Sequence, residues 1–214
     1  MHNRKRAEKE FPPASTFKIP NTLIGFSLGV IEDPDKIYYR YNGEKMFLKF
    51  WEKDVSIREA MRVSSVPAYQ KLAREIGLER MKESLKKIEY GNMEIGKRVD
   101  RFWIDGPLKI DAFQQVEFLK QLVNLELSFS KEAQNKAKEL LLLEKGKNYS
   151  HYGKTGWLIK DFNPNLGWFV GWVDYEGDTY IFALNMDIKN SSQLYKRELM
   201  VKKSLETLGL KFEK

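Results

Sequence analysis

At 214 residues, with 42% hydrophobic and 13% aromatic content, the chain suits one packed domain or two lobes sharing a core. It has no cysteine and two histidines, which excludes disulfides, thiolate catalysis and cysteine-ligated metal and leaves too few ligands for a zinc cluster, so no metal site is expected. The net charge of +7 is spread among glutamates, as in Lys82-Glu83 and Lys138-Glu139, and reads as a solvated surface with no nucleic-acid partner. No run reaches the roughly 18 apolar residues of a membrane segment, and charged residues follow Arg4-Lys5-Arg6 where a signal peptide would turn apolar.

The first element is a buried helix over 15–29, set off by Pro12-Pro13 and carrying Phe17, Ile19, Leu23, Ile24, Phe26 and Leu28. Gly29 stands where a left-handed cap is cheapest. Ser15 lies in the first turn, and Lys18 follows at i+3 on the same face. A serine hydroxyl needs a base to become a nucleophile. A lysine among apolar groups is pushed toward its neutral, basic form. Backbone N–H groups at a helix start also suit a developing oxyanion. The spacing alone does not decide, because Ser84/Lys87 and Ser128/Lys131 repeat it in polar helical sequence.

Residues 31–53 read as loop with short extended pieces, and 54–61 as a short helix. Ser64-Ser65-Val66-Pro67 opens a helix over 68–76, with one of the two serines as its N-cap. Gly77 ends it, and 81–88 forms another before Tyr90-Gly91-Asn92. The stretch 95–110 has little periodicity but contains Phe102-Trp103-Ile104-Asp105-Gly106-Pro107. Asp111 caps a helix to 124 that turns Phe113, Val116, Leu119 and Val123 inward, and Ser130 caps another to about 143. The pattern then changes to three strands, 151–159, 166–175 and 179–186, separated by Asn163-Pro164-Asn165 and Glu176-Gly177-Asp178. A helix over 194–208 closes the chain, with Leu199, Val201, Leu205 and Leu208 apolar. The fold class is therefore α+β: one domain over 1–214, with a helical lobe over about 32–145 and a sheet lobe over 1–31 and 146–214.

The meander opens with Gly153-Lys154-Thr155-Gly156-Trp157. The flanking glycines would let a ligand lie against the strand, and Lys154 with Thr155 suits a carboxylate. Ser-x-x-Lys, then Ser-x-Val, then Lys-Thr-Gly occur in one order along the chain. With Tyr90-Gly91-Asn92 and Phe102-Trp103-Ile104-Asp105-Gly106, these motifs make the sequence resemble the class D, oxacillinase-type serine β-lactamases over nearly its whole length.

The resemblance implies a penicillin-binding transpeptidase-like fold and a β-lactam substrate hydrolysed through a Ser15 acyl-enzyme. Lys18 would carry a carbon-dioxide-derived carbamate as general base, in a pocket formed by Val66, Trp103 and Ile104, with no other cofactor. Ser64 would relay a proton to the leaving nitrogen. Lys154, Thr155, Gly156, Trp157 and Arg197 would bind substrate, and the N–H groups of Ser15 and Trp157 would hold the oxyanion. Arg197 matches by position only, and His151 has no inferred role. Localisation would be periplasmic or secreted, and oligomeric state is not legible. Fourteen residues precede Ser15, so the family's N-terminal strands and signal sequence are expected to be missing. Two alternatives stay open: a β-lactam-sensing domain of the same fold, and an inactive truncated remnant.

Overall fold

The computed structural model describes residues 1–160 and 163–213. A single turn, α1 (Arg4–Ala7), is capped by the Asn3 side chain. Phe11 then pairs with Ile110 through two backbone hydrogen bonds of 2.9 Å. The expected buried helix comes in two parts, a 3-10 turn (Ala14–Phe17) that winds into α2 (Lys18–Ser27). Pro20 has no N–H to give the residue 16 carbonyl, and the turn before it is the tighter kind. Every α2 residue from Lys18 to Phe26 is buried, so this helix runs through the core. Gly29 takes the left-handed conformation beyond its end, with φ 67°.

The helical half follows. Strands β1 (Ile37–Tyr39) and β2 (Val55–Ser56) form a small antiparallel pair. Ser56 caps α3 (Ile57–Arg62), and Ser65 caps α4 (Val66–Ile76). Gly77, at φ 83°, turns directly into α5 (Leu78–Lys87), so this helix begins before residue 81. Asp111 and Gln114 form a capping box on α6 (Ala112–Asn124). Its inward stripe is Ala112, Gln115, Phe118, Leu119 and Leu122, while Phe113 is 45% exposed. The stripe expected from the sequence was out of phase because a buried polar residue, Gln115, belongs to it.

Ser130 caps α7 (Lys131–Glu139), which stops earlier than the expected 143. Leu142–Lys145 instead forms a strand, β3, so the sheet reaches back beyond 146. Strands β4 (Tyr149–Lys160), β5 (Asn163–Tyr175) and β6 (Asp178–Met186) complete an antiparallel sheet ordered β3-β4-β5-β6. Asn163-Pro164-Asn165 is strand rather than turn, with Ile159 opposite Pro164 and Lys160 opposite Asn163. Pro164 lies next to the register shift after Leu158, a position where a missing ladder donor is tolerated.

Alternation along the strands gives the sheet two apolar faces. Phe169, Val173 and Phe182 pack with Val201 and Leu205 of α8 (Lys196–Thr207). Trp168, Val170, Trp172 and Ile181 join the main core with α2 and the other helices. On α8 it is Arg197, Val201 and Leu205 that turn inward. Leu199 and Leu208 are 39% and 69% exposed, against expectation. Burial of a large core side chain such as Phe17 or Leu23 is worth about 1.5–3 kcal/mol, so α2 and the turn before it are anchored well beyond their own propensity.

Candidate active site

Ser15 and Lys18 meet as their spacing predicts. The Lys18 amine donates to Ser15 Oγ at 2.9 Å. Lys18 is wholly buried, and Ser15 is half-buried. Burial lowers the Lys18 pKa well below that of an ordinary lysine, and the charge of Lys154 adds to the effect. A neutral amine in hydrogen-bond contact with a hydroxyl is the arrangement a serine nucleophile requires. The two other Ser-x-x-Lys pairs are not buried together in this way. Ser84 is buried while Lys87 points to solvent, and Ser128 and Lys131 are both exposed.

The turn bearing Ser15 is held from three sides. Ala14 has φ 49°, a left-handed conformation unusual for a residue with a Cβ, and its N–H donates to the Trp103 carbonyl at 3.0 Å. Thr16 donates its hydroxyl to the Pro13 carbonyl at 2.8 Å and accepts from Gln115 Nε2 at 2.9 Å. Tyr90, 1% exposed, reaches the same Gln115 at 3.4 Å and meets Phe17 edge-on at 5.8 Å. Phe17 also stacks on Trp103 at 5.3 Å. Tyr90-Gly91-Asn92 is therefore a support for the Ser15 turn, with Tyr90 and Gly91 buried. Asn92 donates to the Pro107 carbonyl and accepts from the Lys109 N–H, tying the 102–110 stretch in place. Gln115 and Thr16 escaped sequence reasoning, although a glutamine one turn before Phe118-Leu119 on an apolar face was a usable signal.

The third side is β4. A Cβ at Gly156 would lie 3.1–3.3 Å from Trp168 Cβ, the Pro13 carbonyl and Thr16 Cγ2. The room on the Cβ side of this glycine is thus taken by Trp168 and the turn that carries Ser15. Gly153 is likewise faced by Phe169 and Val170 of β5. β3 pairs with β4 only as far as Tyr152, so the edge of β4 carrying Lys154-Thr155 is not covered by β3. Lys154 is 5% exposed and donates to the Thr155 carbonyl at 3.1 Å. Its pKa is pushed down to about 7, by burial first and then by Arg197. Arg197, 8% exposed, donates to the Gly156 carbonyl at 2.7 Å and to the Leu194 carbonyl at 2.8 Å, so it does lie on the Lys-Thr-Gly strand. Burial lowers its pKa too. Two buried basic side chains, Lys154 and Arg197, at one strand favour an anion.

Ser65 is the N-cap of α4 and leaves Ser64 free of that task. Ser64 adopts φ 54°, and among the described residues no hydrogen bond joins its hydroxyl to Ser15 or Lys18. Val66 begins α4, three residues before Tyr69, whose ring lies 5.2 Å from the Lys18 amine. Trp103 is buried beside Ala14, and Ile104 is half-buried next to it. Thr155 and Trp157 are half-buried on β4, and the Trp157 indole N–H has no partner among the described residues. His151 packs against the rings of Phe169 and Phe182, each 5.7 Å away, on the face that packs α8.

This geometry has known relatives. The family described as penicillin binding protein transpeptidase domain matches residues 2–206. The chain is 44% identical to Beta-lactamase OXA-10 of Pseudomonas aeruginosa, over 96% of this chain and 77% of that one. It is 39% identical to Beta-lactamase OXA-48 of Klebsiella pneumoniae with the same coverage. The crystal structure of FUS-1 (OXA-85), a class D β-lactamase from Fusobacterium nucleatum subsp. polymorphum, superposes with a TM-score of 0.92 at 47% identity, covering 97% of this chain and 86% of that one. The chain belongs to the class D β-lactamases. Its fold is the penicillin-binding transpeptidase type, and the class D enzymes are serine hydrolases that use no metal cofactor.

Proposed function

We propose that this protein hydrolyses β-lactam antibiotics through an acyl-enzyme on Ser15. The observation that carries the reading is the 2.9 Å contact between Ser15 Oγ and a fully buried, uncharged-leaning Lys18 amine. Lys154, Thr155 and Arg197 would receive the substrate carboxylate, a role that suits three partly or wholly buried side chains around one open strand edge. Ser64, held out from its helix at positive φ, would pass a proton to the leaving nitrogen. Backbone N–H groups of Ser15 and Trp157 would hold the oxyanion.

The surroundings of Lys18 fit a carbamate: the amine is buried and favoured in its neutral form, the form that adds carbon dioxide. Val66, Trp103 and Ile104 would enclose it, with the Trp103 indole N–H as donor. A carboxylate on that nitrogen would supply a proton acceptor beside Ser15 Oγ for both acylation and deacylation. Kinship with the class D enzymes supports a periplasmic or secreted setting.

Intact mass after incubation with a penicillin tests the reading directly. The wild type should gain one penicillin mass that decays within the assay, Ser15→Ala should gain none, and Lys18→Ala should keep any adduct it forms. Nitrocefin turnover beyond one equivalent separates hydrolysis from mere sensing. An adduct that forms on Ser15→Ala would overturn the assignment.

A further inference from the structure

A buried acceptor one turn behind Lys18 lacks a partner. Asn21 is fully buried, and its Nδ2 donates to the Tyr69 carbonyl at 3.3 Å, which fixes the other end of the amide as oxygen. That Oδ1 has no hydrogen-bond partner among the described residues. Residues 15, 18 and 21 repeat at i+3 and share one side of the chain as it winds into α2. Helical side chains lean toward the N-terminus, so Asn21 leans over the turn that carries Lys18. Tyr69 connects the two residues independently. Its carbonyl holds the Asn21 amide, its ring lies 5.2 Å from Lys18 Nζ, and its hydroxyl shares a 2.7 Å hydrogen bond with Thr22. A buried amide oxygen left unsatisfied is costly, and the position-18 nitrogen carries N–H groups in every protonation state.

We propose that Asn21 is a positioning residue for Lys18, its side-chain oxygen accepting an N–H of the position-18 nitrogen through one buried water. The inference rests on the carbamate reading above. When the amine adds carbon dioxide, its lone pair forms the N–C bond, a C=O π pair moves onto oxygen, and one N–H proton leaves to water. One N–H remains, and buried as it is, it needs an acceptor. A neutral amide satisfies it. A carboxylate in the same place would hold the amine as ammonium and repel the new negative charge.

The test is a bicarbonate titration of the full chain, read by the carbonyl signal from 13C-bicarbonate in NMR and, separately, by nitrocefin turnover. Asn21→Asp is expected to raise the bicarbonate needed for half-maximal carbonyl signal by about tenfold or more, and Asn21→Leu by about threefold to tenfold. A cooperative melt establishes that each variant is folded. If the aspartate variant does not fold, the near-isosteric leucine variant carries the test alone. Folded variants with the wild-type bicarbonate requirement overturn the inference, including when turnover falls, since that pattern marks packing alone. A wild type without a carbonyl signal overturns the carbamate reading itself, so the two failures are distinguishable.

Discussion

Lys154 is the residue whose chemistry is most exposed to pH. Buried beside Arg197, it titrates near 7 rather than at the ordinary lysine value of 10.5. Its charge is present below that pH and lost above it, so attraction for a substrate carboxylate weakens as pH rises. KM for a penicillin is expected to rise several-fold between about pH 6 and about pH 9, with a smaller change in kcat. In Lys154→Ala, KM should start high and vary little over the same range, which steady-state kinetics at constant ionic strength would check. The residues proposed for the chemistry were legible because each motif couples a reactive group to a fixed spacing. Ser15 and Lys18 at i+3 are the clear case. Gln115 and Thr16 were not, since each matters through a partner distant in sequence: they are 99 residues apart.

Among the elements, the Tyr90-Gly91-Asn92 turn shows how a support can resemble ornament in a sequence. Gly91 takes φ 57°, and a Cβ there would overlap the Lys109 carbonyl oxygen. Gly91→Ala is therefore expected to destabilise the fold by about 2–4 kcal/mol, through strain plus a backbone clash, measured as a shift of the urea midpoint. Gln115→Leu removes the donor to Thr16 and should cost about 1–3 kcal/mol, with a lower kcat because the Ser15 turn loses one of its three anchors. Helices announced themselves through capping residues at Ser65, Asp111 and Ser130. The misread elements have physical reasons. Leu142–Lys145 follows a helix with no glycine or proline between them, so nothing local marks the change to strand. Asn163-Pro164-Asn165 has turn composition, yet it extends a strand at an irregular register where the ladder tolerates proline.

At the scale of the molecule, the buried lysines tie stability to pH. Lys18 and Lys154 both have folded pKa values below the ordinary 10.5, so the unfolded chain binds more protons between the two values. Below about pH 7 the unfavourable burial of the charged Lys154 is fully present; above 10.5 both states are neutral and it is gone. Stability from this group therefore rises with pH across that window. The urea midpoint should shift upward from pH 7 toward pH 10, and Lys154→Met should flatten part of that slope. The α+β arrangement was readable from the switch between helical and alternating patterns. The contact of β4 with the Ser15 turn was not, because it depends on how sheet and helices stack.

Ala14 and Ser64 share one peculiarity: each has a side chain, yet each holds a backbone posture that glycine accepts freely. A glycine in either place should leave the fold as stable or up to about 1 kcal/mol more so, offset by a floppier unfolded chain. Turnover should drop in both, because a loosened hinge spreads the hydroxyls of Ser15 and Ser64 over more orientations. Selection for robustness and selection for speed would then pull these two positions in opposite directions.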